Sequence, residues 1–452
     1  MYNDIEHIGT VYFATLGCPK NEVDSQIWIA CLKKSGFSIT DNPEEADFLF
    51  ANTCAFIEDA RLESRETINR LLKLKKLYPS KRIYITGCWA QLDRERLMDI
   101  FPDVDGILGN LNIADSCRIF MESLRTGKKI VHIPSEISCG YPIKNIVPNS
   151  FPYAYLKIAE GCDNFCTYCI LPYIRGKYRS VPERTVIEQA EFLLEQGFRE
   201  LILVAQETTQ YGKDLPEETD IVKLLHKLND IEGDFIVRLM YANPLRVNKN
   251  LVRAISELPK VVKYLDIPLQ HYDDEILSSM GRKYSSYDIE KLVDTIKGTD
   301  EEIVMRTTFI VGFPGESDEK FDKLLKFVER GDFLHLGVFQ YSPETGTDAY
   351  KMPNQIPGEV ASLRKELVEM AHNDILMDQN KQYVGKIVDA LVDGEAVRDG
   401  FFIARMEQDA PQVDRHIKVR GNVEVGKWTK VQIVKALANN FLGVEEKAWR
   451  TF

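Results

Sequence analysis

The chain has 452 residues, 44% of them hydrophobic and 28% charged, with a formal net charge of −12. That is the balance of a folded globular protein too long for one ordinary domain, so two or three domains are expected. The negative charge excludes a protein that grips nucleic acid by bulk electrostatics, although a local basic surface stays open. The start, MYNDIEHIGT, has neither the basic nor the apolar region of a secretory signal, and no apolar run reaches the ~18 residues of a membrane span. Nine cysteines is an odd count. With no export signal the chain is expected to be cytoplasmic and its thiols reduced, clustered for metal or catalysis rather than disulfides.

Residues 1–140 alternate β-rich apolar runs with amphipathic stretches. VYFATL (11–16), ADFLFAN (46–52) and RIYITG (82–87) read as strands, and VDSQIWIACLKKSG reads as a helix between two of them. A β–α–β rhythm of this kind predicts a doubly wound parallel sheet. PSEISCGYPIKNIVPNS (134–150) is rich in Pro, Ser, Gly and Asn without periodicity, and reads as a linker.

Six further strands are expected over residues 148–377: 153–159, 200–206, 235–242, 263–269, 302–312 and 335–342, with helical patterns such as EQAEFLLEQG and DIEKLVDTIKG between them. Six strand–helix units suit an open, partial (β/α)6 barrel, since a full eight-fold barrel typically needs ~250 residues. From 378 to 448 short alternating runs separated by turns predict a small antiparallel β-domain: YVGKIVDALVDGE, GFFIARM, HIKVRGN and KWTKVQIVKAL.

Two sets of three cysteines stand out. Cys18, Cys54 and Cys88 are 36 and 34 residues apart, yet each directly follows a predicted strand, in VYFATLGC, FLFANTC and RIYITGC. In a parallel sheet the carboxyl ends of the strands share one edge, where ligands bind, so the three thiols are expected to converge. Gly17 and Gly87 permit the close backbone approach this needs. The plain alternative is three buried apolar thiols. Cys31, Cys117 and Cys139 do read that way, as core or linker thiols without partners. Cys162, Cys166 and Cys169 follow the first strand of the central segment with C-x3-C-x2-C spacing, and no His or Cys lies between Cys169 and His226. Thiolates suit zinc or an iron–sulfur cluster; three ligands favour a cubane with one open iron, while zinc would need a fourth.

The C-x3-C-x2-C at 162–169, with Tyr168 before the last cysteine, resembles the signature of the radical S-adenosylmethionine superfamily. Over essentially its whole length the chain resembles the methylthiotransferases of that superfamily, which join a three-cysteine N-terminal domain, a radical core and a TRAM domain. The RimO branch, which modifies a ribosomal protein, is the nearest. The resemblance rests on LGCPKN (16–21) with VDS (23–25), NTCAFI (52–57), YLKIAEGC (155–162), YLDIPLQH (264–271), FIVGFPGE (309–316) and DAP (409–411) followed by VD.

The resemblance implies two [4Fe–4S] clusters, one on each triad, with S-adenosylmethionine chelated at Cys162, Cys166 and Cys169 and the sulfur donor at Cys18, Cys54 and Cys88. It implies a 5′-deoxyadenosyl radical and transfer of a methylthio group to the β-carbon of an aspartate in small-subunit ribosomal protein twelve. A flavodoxin- or ferredoxin-like electron donor follows as a partner. Ends of barrel strands line the site in such folds, which points to Gln206, Glu207, Gln270 and Arg306 as S-adenosylmethionine contacts. Glu207 is the acceptor for the ammonium and Arg306 the bidentate partner of the carboxylate. Gly312, Phe313 and Gly315 are expected to bring backbone to the adenine. His271 reads as structural, and KLKKLYPSKR (73–82) as a solvated helix face.

A MiaB-like enzyme acting on a transfer RNA adenosine keeps the same six cysteines and is the alternative; a non-catalytic zinc- or RNA-binding protein is the remoter one. Residues 378–452 hold 12 Lys and Arg against 11 Asp and Glu. That near balance leans toward a protein substrate, because an RNA-gripping module is clearly basic. Three positions depart from the family pattern: Glu22, Gln412, and Ala404 before Arg405. None is a cluster ligand.

Overall fold

The computed structural model describes residues 7–135, 151–396 and 400–446. Apart from Pro134 and Ser135, the expected linker lies outside the described residues, and Cys139 with it. The chain forms two compact units. The first is Met1–Val147 with Ala159–Phe165 and Cys169–Phe192; the second is Pro148–Ile158, Cys166–Tyr168 and Leu193–Phe452.

In the first unit the elements run β1 (Gly9–Thr15), α1 (Pro19–Lys34), β2 (Phe37–Ile39), β3 (Phe48–Thr53), α2 (Glu58–Leu77), β4 (Arg82–Gly87), α3 (Cys88–Asp93), α4 (Arg96–Ile100), β5 (Gly106–Leu108), α5 (Ile113–Thr126) and β6 (Ile130–His132). The six strands form one sheet of order β2-β1-β3-β4-β5-β6, every pair parallel. β3 and β4 are buried along almost their whole length, as strands covered on both faces must be. α2 buries Ser64, Thr67, Ile68 and Leu71, the one-sided spacing of an amphipathic helix. Phe13, Phe50 and Tyr84 stack in the core and Phe120 packs edge-on against the last two, with ring centroids 4.8–5.2 Å apart. Cys31 of α1, expected to be without a partner, has its pKa lowered chiefly by the neighbouring thiol of Cys117 on α5.

Later in the chain come β7 (Tyr153–Lys157), β8 (Ala159–Glu160), α6 (Leu171–Arg175), β9 (Arg179–Ser180), α7 (Glu183–Glu195), β10 (Glu200–Val204), α8 (Ile221–Asn229), β11 (Ile236–Leu239), α9 (Lys249–Glu257), β12 (Tyr264–Asp266), α10 (Asp274–Ser279), α11 (Ser286–Thr299), β13 (Val304–Val311), α12 (Asp318–Glu329), β14 (His335–Gln340) and α13 (Gly358–Lys381). β8, α6 and β9 belong to the first unit, where Ile170 and Ile174 bury beside Trp89 and Ala90 of α3. The six strands expected for the partial barrel are β7 and β10–β14, in the second unit. They pair in parallel as two three-stranded sheets, β11-β10-β7 and β12-β13-β14, linked by a single bridge between Val237 and Val261. Five helix starts carry the side-chain cap their sequence advertises: Asp220, Asn248, Asp273, Ser285 and Ser317.

The second unit ends in β15 (Ile387–Glu395), β16 (Phe402–Arg405), β17 (His416–Arg420), β18 (Trp428–Ala436) and β19 (Asn440–Glu445). They close into a barrel of order β15-β16-β17-β19-β18. The expected antiparallel pairing holds except that β17 and β19 run parallel, and β19 itself was absent from the sequence reading. Ala390, Val392, Ala404, Ile417, Val419, Val431, Ile433 and Phe441 fill its interior. A layer of buried ion pairs ties this barrel to the amino-terminal ends of the core strands, Arg405 to Glu200 and Asp414 to Arg306 among them. The small barrel and the six-stranded core therefore share one unit. No helix among the described residues is long and apolar enough to cross a membrane.

Candidate active site

β1, β3 and β4 are neighbours in the first sheet, so their carboxyl ends lie side by side. Cys18 sits three residues past Thr15 as the residue before α1, Cys54 directly follows Thr53, and Cys88 opens α3 directly after Gly87. Gly17 has φ +91°, and a Cβ there would stand 2.7 Å from Cys54 Cβ and 2.9 Å from its Sγ. The tight turn before Cys18 thus lies directly on Cys54. A Cβ on Gly87 would be driven to 2.4 Å from the Thr53 carbonyl oxygen. Both glycines are required by close approach as well as by backbone angle.

Asn21, fully buried in the first turn of α1, holds the edge together. Its amide nitrogen donates to the Leu16 carbonyl at 2.9 Å and the Thr53 carbonyl at 3.0 Å, joining the turns after β1 and β3. Its oxygen accepts from the Cys88 thiol at 3.6 Å, bringing in the turn after β4. Ser64 of α2 secures Cys54, accepting from its N–H at 3.1 Å and donating to its carbonyl at 3.0 Å. Glu22, the departure beside this edge, lies in the first turn of α1, where a carboxylate complements the helix dipole.

Burial raises the pKa of Cys54 and pushes that of Cys88 up to about 12, while the Arg175 guanidinium beside them pulls the other way. Cys18 also raises the pKa of Cys54, and Cys54 and Cys18 that of Cys88, as neighbouring thiolates do. Thiols of this kind ionise when a metal displaces their protons. Among the described residues no group of three His, Cys, Asp or Glu is spaced to hold one metal ion. A cubane differs in taking each thiolate at a separate iron corner, and the sulfur-only donor set fits it.

Cys162, Cys166 and Cys169 lie in the loop between β8 and α6. Cys162 belongs to the first unit: its N–H donates to the Gly176 carbonyl at 3.1 Å, and Asn164 Nδ2 approaches its sulfur at 3.4 Å. Gly161 before it has φ +83°, with the Lys177 carbonyl where a Cβ would be. Cys169 is also in the first unit. Cys166 belongs to the second, where Arg282 Nη1 donates to its sulfur at 3.3 Å. Thr167 is tied there to the end of α10, its N–H on the Met280 carbonyl and its hydroxyl on that of Ser279. Amide and guanidinium donors aimed at cysteine sulfurs are what a thiolate-bound cluster calls for.

Gln206 and Glu207 follow β10 at its carboxyl end. Glu207, 2% exposed, presents both oxygens to Arg246 Nη1 at 2.9 Å and accepts from the Thr209 hydroxyl at 3.0 Å. Gln270 has φ +70° and bridges to β13, its carbonyl accepting from the Ile310 N–H. Gly312 and Gly315 both have positive φ just past β13; a Cβ on Gly312 would meet that of Ala361 at 2.4 Å. His271 is buried and pairs with Glu316 at 3.0 Å, the structural role expected of it.

Arg306 is a correction. β13 begins at Val304, which puts Arg306 at its amino-terminal part rather than at a ligand-binding end. Its guanidinium pairs with Asp266 Oδ1 at 3.1 Å and Asp414 Oδ1 at 3.1 Å, inside the ion-pair layer. It is a structural cation, not the expected partner of a ligand carboxylate. Sequence reasoning missed Asn21, Arg175, Arg246 and Arg282. Only Asn21 carried a signal, as the last residue of LGCPKN.

The chain matches the uncharacterized protein family UPF0004 at residues 10–109, the radical SAM superfamily at 156–328 and the TRAM domain at 384–444. It is 39% identical to the ribosomal protein uS12 methylthiotransferase RimO of Carboxydothermus hydrogenoformans, across 95% of this chain and 97% of that one. The counterpart in Aquifex aeolicus is 38% identical across 96% of each. Among solved structures, the radical S-adenosylmethionine methyltransferase TsrM from Kitasatospora setae aligns over 84% of this chain and 80% of its own, with TM-score 0.55 and 13% identity. The cobalamin-dependent S-adenosylmethionine radical enzyme OxsB aligns over 81% and 56%, with TM-score 0.52 and 14% identity. At such identities the likeness is one of fold.

Proposed function

The chain belongs to the RimO family of ribosomal protein uS12 methylthiotransferases, and on that premise we propose that it adds a methylthio group to the β-carbon of an aspartate in small-subunit ribosomal protein twelve. The radical SAM segment carries with it a [4Fe–4S] cluster and S-adenosylmethionine. Cys162, Cys166 and Cys169 are the residues to hold that cluster, and Cys18, Cys54 and Cys88 those to hold a second. When bound, the first centre with S-adenosylmethionine supplies the alkyl radical that an unactivated C–H bond demands, and the second supplies the sulfur.

The chain's own residues bind and orient. Asn21 and Ser64 fix the turns that carry Cys18, Cys54 and Cys88; Asn164 and Arg282 donate to Cys162 and Cys166. Glu207 and Arg246, at the carboxyl ends of β10 and β11, present opposite charges suited to the ammonium and carboxylate of S-adenosylmethionine. Gln206, Gln270, Gly312 and Gly315 line the same strand ends. Electrons come from a flavodoxin- or ferredoxin-like donor, and the work is done in the cytoplasm.

The observation that carries this reading is the thiol triad on three adjacent parallel strands, a second set of cluster ligands that radical generation alone does not require. The test supplies anaerobically reconstituted protein, S-adenosylmethionine and reductant with ribosomal protein twelve and transfer RNA together. A methylthio mass increment on the protein aspartate alone, with about eight irons per chain, supports it. The increment on RNA overturns the substrate; a colourless, zinc-loaded chain overturns the radical chemistry.

A further inference from the structure

Arg175 ends α6, six residues after Cys169, and the function described so far gives it no part. Ile170 and Ile174 bury against α3, which sets the end of α6 beside the first residue of α3, Cys88. There the guanidinium donates to Asp24 Oδ2 at 2.7 Å, Asn21 Oδ1 at 2.8 Å, Cys88 Sγ at 3.0 Å and Glu160 Oε2 at 3.3 Å. Its side chain is 1% exposed, as is that of Asp24. A guanidinium stays protonated in a protein, and the carboxylates of Asp24 and Glu160 lie against this one. Asp24 is the aspartate of the VDS stretch, so that stretch and Cys88 meet on one guanidinium.

A buried guanidinium needs good geometry and full pairing to repay its desolvation. Two carboxylates are already enough to neutralise it, and a salt bridge alone does not require a sulfur at 3.0 Å. The N–H···S contact adds a directed donor and a positive charge to a cysteine of the N-terminal triad. Hydrogen bonds to the sulfurs and net charge are the main levers on a cluster's reduction potential.

We infer that Arg175 is a positioning residue of the N-terminal centre: it holds the Cys88 thiolate by a charge-assisted N–H···S bond and raises that centre's reduction potential. This rests on the reading of Cys18, Cys54 and Cys88 as cluster ligands. It also gives α6 a role as the short element that leads from Cys169, a ligand of the radical centre, to the sulfur of Cys88.

The test uses the full chain with Cys162, Cys166 and Cys169 replaced by Ala, so that only the N-terminal centre is reconstituted. Iron content and the midpoint potential, followed by electron paramagnetic resonance, are measured with Arg175 intact and in Arg175→Lys, Arg175→Gln and Arg175→Gln/Asp24→Asn. The midpoint is expected to fall in Arg175→Gln, to fall less in Arg175→Lys, which keeps the charge, and to recover partly when Asp24→Asn removes the uncompensated carboxylate. Iron is expected to stay near four per chain. An unchanged midpoint at full iron content overturns the proposal, as does loss of iron from every Arg175 variant, which would make the residue scaffold alone. If the background protein with Arg175 intact binds no iron, the underlying cluster reading fails instead.

Discussion

Tyr264 of β12 donates its hydroxyl to Asp414 Oδ2 at 2.7 Å, joining the six-stranded core to the segment that leads into β17. The same carboxylate accepts from Arg306 Nε at 3.1 Å and from the Ala410 N–H at 2.8 Å. Removing one partner of such a buried set leaves charge and donors unpaired, at roughly 3–5 kcal/mol. Asp414→Ala is therefore expected to lower stability by about that much, and Tyr264→Phe by about 1 kcal/mol, in denaturant titrations of the full chain. A loss below about 1 kcal/mol for Asp414→Ala would mean that the layer does not hold the small barrel in place.

Gly17 lies on Cys54 at distances no side chain tolerates. Gly17→Ala forces either the turn or the Cys54 thiol to shift, on top of the strain of a non-glycine residue at φ +91°, about 1–3 kcal/mol. The expected result is a folded chain whose iron falls from about eight to about four per molecule, the remaining absorbance belonging to the Cys162 triad. Full iron content in Gly17→Ala would remove the turn from the cluster site.

The strand-end positions of Cys18, Cys54 and Cys88 and all six central strands were legible, because each strand is a short apolar run closed by a turn and these cysteines fall on such turns. Arg306 was misplaced for another reason: the expected run 302–312 already put it before the middle, and β13 starting at Val304 sets it nearer still to the amino-terminal end, away from the end where ligands bind. The two aspartates of DAP and VD, part of the family resemblance, point inward. Asp409 pairs with Arg415 at 2.8 Å and Asp414 with Arg306, so in this chain they dock the barrel. β19 follows only Leu437–Asn439 after β18, and its alternation in NFLGVE was short enough to pass as a tail. Contacts such as Arg175 to Asn21, 154 residues apart, leave no local pattern at all.

Glu207 offers a direct probe of S-adenosylmethionine binding. A hydrogen bond to a charged group is worth about 1.5–3 kcal/mol, so Glu207→Gln, which keeps the shape but not the charge, is expected to weaken S-adenosylmethionine binding roughly ten- to hundredfold. Equilibrium dialysis with the cluster-loaded protein measures it, and iron content should not change. Arg246→Gln is expected to weaken binding as well. If Arg246→Gln alone has an effect, the carboxylate serves only to hold the arginine.

Asp393 of β15 accepts from Arg405 Nε at 2.8 Å, yet burial raises its pKa to about 6 from an ordinary 3.8, the arginine pulling against that rise. The unfolded chain then ionises Asp393 at a lower pH than the folded one. Between about pH 4 and pH 6 the folded state binds the extra proton, so this carboxyl's contribution to stability falls as pH rises and is level above that window. At about 1.4 kcal/mol per unit, the change is at most about 3 kcal/mol. Denaturant titrations of the apoprotein at intervals from pH 4 to pH 8 should show wild type losing stability relative to Asp393→Asn across the window, with a constant difference from pH 7 upward. A difference that is flat throughout, or that grows in favour of wild type as pH rises, would mean that Arg405 outweighs burial and keeps Asp393 ionised in the fold.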